Sequence, residues 1–130
     1  MLIARFSTLM LQGQRPTIYG NGLQTRDFTH VTNVIHANVL ALETQDKLSG
    51  HVVNIGTGVS ISLLHLVNEL NRLLGSHLEP IHEAPRAGDV MHSLAALTQA
   101  QGVLNYRPIV SFEEGLAQTL DWARYMTVAA

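Results

Sequence analysis

The sequence predicts one small α/β domain, α+β-like in its order of elements, with four or five helices and three or four short strands. Three observations carry this. Apolar residues recur at helical spacing in several separate segments, short β-type runs lie between them, and glycines and capping residues mark the ends. A length of 130 residues suffices for one domain around one core and leaves no room for a second.

Residues 2–12 place Leu2, Ile3, Phe6, Leu9 and Met10 at helical spacing, and Gly13 ends the run. After Pro16, Thr17-Ile18-Tyr19 is a β-type run leading into the turn Gly20-Asn21-Gly22. Residues 26–31 alternate polar and apolar side chains, as an extended segment with one buried face does. Thr32 can then cap a helix from Asn33 to Glu43 whose apolar side is Val34, Ile35, Val39, Leu40 and Leu42. Beyond the turn Ser49-Gly50, residues 51–55 read as a buried strand running into Gly56-Thr57-Gly58. Ser62 caps a helix lined by Leu63, Leu66, Val67, Leu70 and Leu74, which Gly75 stops. A short strand over 78–82 precedes an irregular loop over 83–89, and 97–104 reads as a helix weakened by Gly102. Ser111-Phe-Glu-Glu114 is a capping box opening a last helix through Leu116, Leu120 and Trp122 to Met126.

With 46% hydrophobic and 14% charged residues, the chain is apolar and charge-poor for its size, so part of its apolar surface is expected to face a partner. A net charge of -2 with scattered basic residues gives no footprint for nucleic acid. The absence of cysteine removes disulfides and thiolate zinc sites, and the first residues do not read as a signal peptide or membrane segment, so a cytoplasmic address is expected. Seven histidines include no pair at the spacing that places two imidazoles on one helix face, and no metal site is expected.

Two motifs bear on chemistry. Gly56-Thr57-Gly58 joins a strand-like run to a helix, the setting of a phosphate-binding turn, but Ile61 stands where a dinucleotide loop has its third glycine, so a structural turn is the favoured reading. Arg26 and Arg86 lie in turn-rich segments, each followed closely by an aspartate. They are suited either to clamp a diphosphate from two loops or to form Arg–Asp surface pairs.

The segments Ile18-Tyr-Gly-Asn-Gly, Gln24-Thr-Arg-Asp-Phe28-Thr-His-Val31, Asn54-Ile-Gly-Thr-Gly58, Arg86-Ala-Gly-Asp89 and Ser111-Phe-Glu-Glu-Gly115-Leu resemble, in order and spacing, the C-terminal half of the extended short-chain dehydrogenase/reductase family, which includes UDP-glucose 4-epimerase and nucleotide-sugar dehydratases. The resemblance runs from about residue 2 to Trp122 and implies a nucleoside-diphosphate-sugar-binding domain, with UDP-sugars favoured. It implies that Arg26 and Arg86 contact the diphosphate, that Asp89 contacts the ribose, and that the strand around Ile18 and Tyr19 borders the nucleobase. The doubly wound half that holds NAD or NADP in the family has no counterpart here, and neither does its Tyr-x-x-x-Lys pair, since Lys47 is the sole lysine. No catalytic or cofactor-binding residue is therefore expected in this chain, and a partner cofactor domain or self-association is. The alternatives are a non-catalytic interaction module and a truncated fragment that does not fold alone. The chain departs from the family at Asn33, where aspartate is usual, and at Ala96 of Ala95-Ala96, where Ala-Asp is usual. The first departure bears on a cap or a partner contact, the second on the order of the Arg86 loop.

Overall fold

A computed structural model describes residues 2–44 and 48–128 of the chain; Met1 and Lys47 lie outside them. Five helices, α1 (Leu2–Leu11), α2 (Val31–Glu43), α3 (Leu63–Leu74), α4 (Thr98–Leu104) and α5 (Phe112–Val128), alternate with four short strands, β1 (Thr17–Tyr19), β2 (Thr25–Arg26), β3 (Ile61–Ser62) and β4 (Ile81–Glu83). The α/β class and the number of elements are as the sequence predicts.

The strands form two pairs. β1 runs parallel to β4 with Ile18 opposite His82, and β2 runs antiparallel to β3 with Arg26 opposite Ile61. Ladders this short gain little by themselves and are held by the helices around them. α1, α3 and α5 enclose the main core of Phe6, Met10, Ile18, Leu66, Val67, Leu70, Leu116 and Leu120. Burying each of these larger side chains contributes roughly 1.5–3 kcal/mol before chain entropy is set against it. A second cluster, Ala37, Ala100, Leu104 and Tyr106, joins α2 to α4 and to the segment after residue 50.

Helix ends follow the expected chemistry in two places. Ser62 Oγ accepts from His65 N, and Gly75 closes α3 with φ +64°, a conformation costly for any residue with a Cβ. Before α5, Glu114 N donates to Ser111 Oγ at 3.2 Å while Ser111 N donates to Glu114 Oε2 at 3.0 Å. Replacing Ser111 by alanine is expected to cost about 1 kcal/mol, and by threonine much less, as read by urea denaturation. Equal losses for the two variants would show that the hydroxyl does not cap the helix.

Several expectations are corrected. α2 starts at Val31, with His30 as its cap: Nδ1 of His30 accepts from Thr32 N at 3.4 Å, so Thr32 lies inside the helix. Its buried face is Asn33 and Ala37, whereas Val34, Ile35, Val39 and Leu42 point outward, Leu42 at 85% exposure. The sequence holds two candidate stripes, and the tertiary contacts select the one with the smaller side chains, because α4 approaches there. Residues 51–55 form no strand: Val53 and Ile55 pack on the second cluster, but among the described residues no neighbouring strand pairs with them, and Val52 is 85% exposed. The strand expected at 78–82 lies at Ile81–Glu83, set by its register with β1. α5 continues two residues past Met126 to Val128, and Trp122 is exposed on it.

Candidate functional site

Strand β1 brings Tyr19 to the rim of a cavity, and the following turn is fixed by Gln24, which is buried and donates from Nε2 to Tyr19 O at 2.7 Å. Two residues later β2 delivers Arg26, whose Nη1 donates to Thr25 O at 2.8 Å. The loop after β4 is stitched alongside β2: Thr25 N donates to Met91 O at 2.8 Å, Ser93 N donates to Thr25 O at 3.1 Å, and Thr25 Oγ1 meets His92 Nδ1 at 3.0 Å. Arg86 and Asp89 of that loop are thereby held opposite Tyr19 and Arg26.

Two contacts organise the cations. Arg26 Nη2 donates to Asp89 Oδ1 at 2.8 Å, a partly exposed pair worth no more than about 1 kcal/mol to stability. Its value is positional, because it joins the two loops. The Arg86 guanidinium carbon lies 3.6 Å above the Tyr19 ring centroid. Stacking uses the flat face of the guanidinium and leaves its N–H edge open for planar acceptors. Tyr19, Arg26, Arg86 and Asp89 all line one cavity of about 640 Å³, together with Arg5, Gln24, Asp27 and Phe28.

The structure thus brings Arg26, Arg86, Asp89 and Tyr19 together. Ile18 also borders the cavity, but the residue is 1% exposed and packs in the main core. The surface-pair alternative takes a different form from neighbouring Arg–Asp pairs: Arg26 reaches the aspartate of the other loop, and Asp27 turns away from it.

Asp27 meets the glycine turn. Its Oδ1 accepts from Thr57 Oγ1 at 2.6 Å and Thr57 N at 2.9 Å, and its Oδ2 accepts from Gly58 N at 2.9 Å and Ala95 N at 3.3 Å. Partial burial works to raise the Asp27 pKa, but the Thr57 hydroxyl and the three amides outweigh it and hold the carboxyl below its usual 3.8. The amides of Thr57 and Gly58 are therefore spent on an internal carboxylate, which leaves the turn a poor cradle for a dinucleotide. A Cβ on Gly56 would lie 2.5 Å from Ala95 Cβ and 2.6 Å from Asp27 Oδ2, so only glycine fits. Tyr106 seals the underside, donating from its hydroxyl to Gly56 O at 2.8 Å, and burial, reinforced by the Asp27 charge, raises its pKa above 10.

Of the two departures from the family pattern, Ala96 is exposed, and Asn33 is wholly buried and pins residues 109 and 110. The roles of Asp27, Gln24 and Arg5 at the cavity do not emerge from sequence reasoning. An amide-rich turn with no third glycine signals a need for an acceptor, but nothing local identifies Asp27, thirty residues earlier, as its source.

Comparison with known proteins identifies the fold and the family. The chain superposes on the UDP-glucose 4-epimerase of Thermotoga maritima, solved with UDP-glucose, with a TM-score of 0.89 at 37% identity, covering 98% of this chain and 40% of that one. It superposes on the UDP-glucuronic acid 4-epimerase of Bacillus cereus, solved with UDP-glucuronic acid and NAD, with a TM-score of 0.90 at 32% identity, covering 97% and 40%. In sequence it is 35% identical over 123 residues to the UDP-glucose 4-epimerase of Mycolicibacterium smegmatis, covering 95% of this chain and 39% of that one. The fold is that of the nucleotide-sugar epimerases and dehydratases. Residues 1–119 match the family described as GDP-mannose 4,6 dehydratase, and the chain belongs to that family. It spans about 40% of the length of the relatives it matches. Among the described residues, no helix is long and apolar enough to cross a membrane.

Proposed function

We propose that this chain binds a nucleoside-diphosphate sugar in the cavity between β1, β2 and the Arg86 loop, as the substrate-binding part of an NAD(P)-dependent epimerase or dehydratase. The observation that carries the reading is Arg86 set over the Tyr19 ring, with no hydrogen bond or ion pair to its guanidinium among the described residues, beside an Arg26 fixed by Asp89. Two forked donors, one from strand β2 and one from the loop after β4, suit the adjacent phosphates of a diphosphate. Asp89 accepts from Arg26 through Oδ1 alone, which leaves Oδ2 for a ribose hydroxyl. The Tyr19 strand is the border for the base, with uridine favoured because relatives solved with ligands hold UDP-sugars. Binding the diphosphate here would anchor the sugar and let remote binding energy orient its reacting carbon.

The hydride chemistry of such a reaction belongs to a nicotinamide, and this chain's glycine turn does not fit one, because Asp27 occupies its amides. No reaction step is assigned to its residues. The outward apolar face of α2, with Val31, Val34 and Ile35, and the neighbouring groove reaching Trp122 favour a cofactor-binding domain as the cover of that side. Light scattering of the chain alone, showing a monomer that binds no hydrophobic dye, would remove the need for such a cover.

The test of the pocket is calorimetric titration with UDP-glucose and UDP. Arg86→Ala is expected to weaken both ligands about thirtyfold, or about 2 kcal/mol. Arg86→Lys should recover little, since an ammonium neither stacks flat nor offers a fork. Affinity unchanged in Arg86→Ala would overturn the pocket assignment.

A further inference from the structure

We propose that Arg5 of α1 is a third anion-binding residue of this pocket, contacting an acidic oxygen of the bound ligand, either of its diphosphate or of a carboxylate on its sugar. The proposal rests on the nucleotide-sugar reading and adds to it a residue from a different element. Arg5 lines the same cavity as Arg26 and Arg86 but reaches it from a helix, whereas they come from a strand and a loop.

Its surroundings give it no structural partner. Neither a hydrogen bond nor an ion pair engages Arg5 among the described residues, whereas Arg15, Arg72 and Arg124 are each tied to a carbonyl or carboxylate. α1 contains no acidic residue, so the helix itself cannot supply a carboxylate three or four positions away. The two carboxylates of the cavity are committed elsewhere, Asp27 to four donors from Thr57, Gly58 and Ala95 and Asp89 to Arg26. The cavity wall therefore carries three guanidinium groups against two carboxylates, and Arg5 and Arg86 are the two that no carboxylate neutralises. Arg5 is solvent-exposed, and Leu2, Phe6, Phe28 and Leu63 line the same cavity. A cation so placed strengthens the binding of a ligand that brings more than one negative charge.

The test compares Arg5→Ala and Arg5→Lys with Arg107→Ala, which removes an exposed arginine outside the cavity, by titrating UDP-glucose and UDP-glucuronic acid into each full chain. Circular dichroism confirms the fold of each variant. Arg5→Ala is expected to weaken binding about tenfold, with Arg5→Lys recovering part of the loss and Arg107→Ala matching the unsubstituted chain. Equal weakening of both ligands assigns Arg5 to the diphosphate, and weakening confined to UDP-glucuronic acid assigns it to the sugar carboxylate. If Arg5→Ala behaves as Arg107→Ala while Arg86→Ala loses affinity, the Arg5 proposal is overturned and the pocket stands. If the unsubstituted chain binds neither ligand, the pocket reading fails and Arg5 with it.

Discussion

Replacing Asp27 by alanine is expected to lower the thermal midpoint by about 10 °C, the equivalent of about 3 kcal/mol for a chain of this size. The substitution strands Thr57 N, Thr57 Oγ1, Gly58 N and Ala95 N, the four closer of five donors to this carboxylate, Thr29 Oγ1 at 3.5 Å being the fifth. Water can reach part of this site, which keeps the loss below the sum of four charge-assisted bonds. Asparagine should rescue little, because its NH₂ would face either the Thr57 pair or the amides of Gly58 and Ala95. Glutamate is too long for a site where Gly56 already stands against Oδ2. The same carboxylate should appear in the acid limb of stability. Its pKa is lower in the folded chain than in the unfolded one, so its contribution is complete above the unfolded value near 4 and is lost as the pH falls through the folded value. Thermal midpoints from pH 7 to pH 2 should therefore converge for the unsubstituted chain and Asp27→Ala below pH 4. Parallel curves would refute the role given to Asp27.

That carboxylate also marks where sequence reasoning ends. The capping box at Ser111, the stop at Gly75 and the apolar stripe of α3 are local: each interaction joins residues a few positions apart, and a single sequence contains all the information needed to see it. The strand-like run at 51–55 and the outer stripe of α2 are not local. Both have the apolar pattern of buried elements, yet what covers a strand edge or a helix face is decided by residues far along the chain or outside it. Site residues divide the same way. Arg26 and Arg86 stand out because arginine in a turn has an obvious use, and the structure places both on one cavity. That Arg26 would be fixed by Asp89, sixty-three residues away, and Arg86 by the Tyr19 ring depends on how the loop after β4 lies along β2. Arg5 was hidden for the opposite reason, since an arginine on a helix reads as a solvated residue until the helix is seen to form a cavity wall.

Asn33 is the other position where a large loss is expected, about 3 kcal/mol on replacement by alanine. Its side chain is 0% exposed, and it closes a three-bond clasp: Oδ1 accepts from Ile109 N at 2.8 Å and Val110 N at 3.0 Å, while Nδ2 donates to Val110 O at 2.8 Å. Alanine would leave two amides and a carbonyl without their partners in a part-buried site, and would release the turn that sets the start of α5 against the start of α2. Aspartate, the residue usual in the family, makes a sharper test than alanine. It keeps both acceptor bonds, which two amide donors favour in the charged form, but it has no donor for Val110 O and sets a carboxylate against that carbonyl. Asn33→Asp should therefore cost roughly 1–2 kcal/mol, clearly less than Asn33→Ala, in urea denaturation at neutral pH. The comparison separates the two halves of the amide. Equal losses would mean that the bond to Val110 O carries the clasp, and a negligible loss for both would mean that the segment before α5 is held by Phe112 packing on Phe28 at 5.9 Å, without need of Asn33.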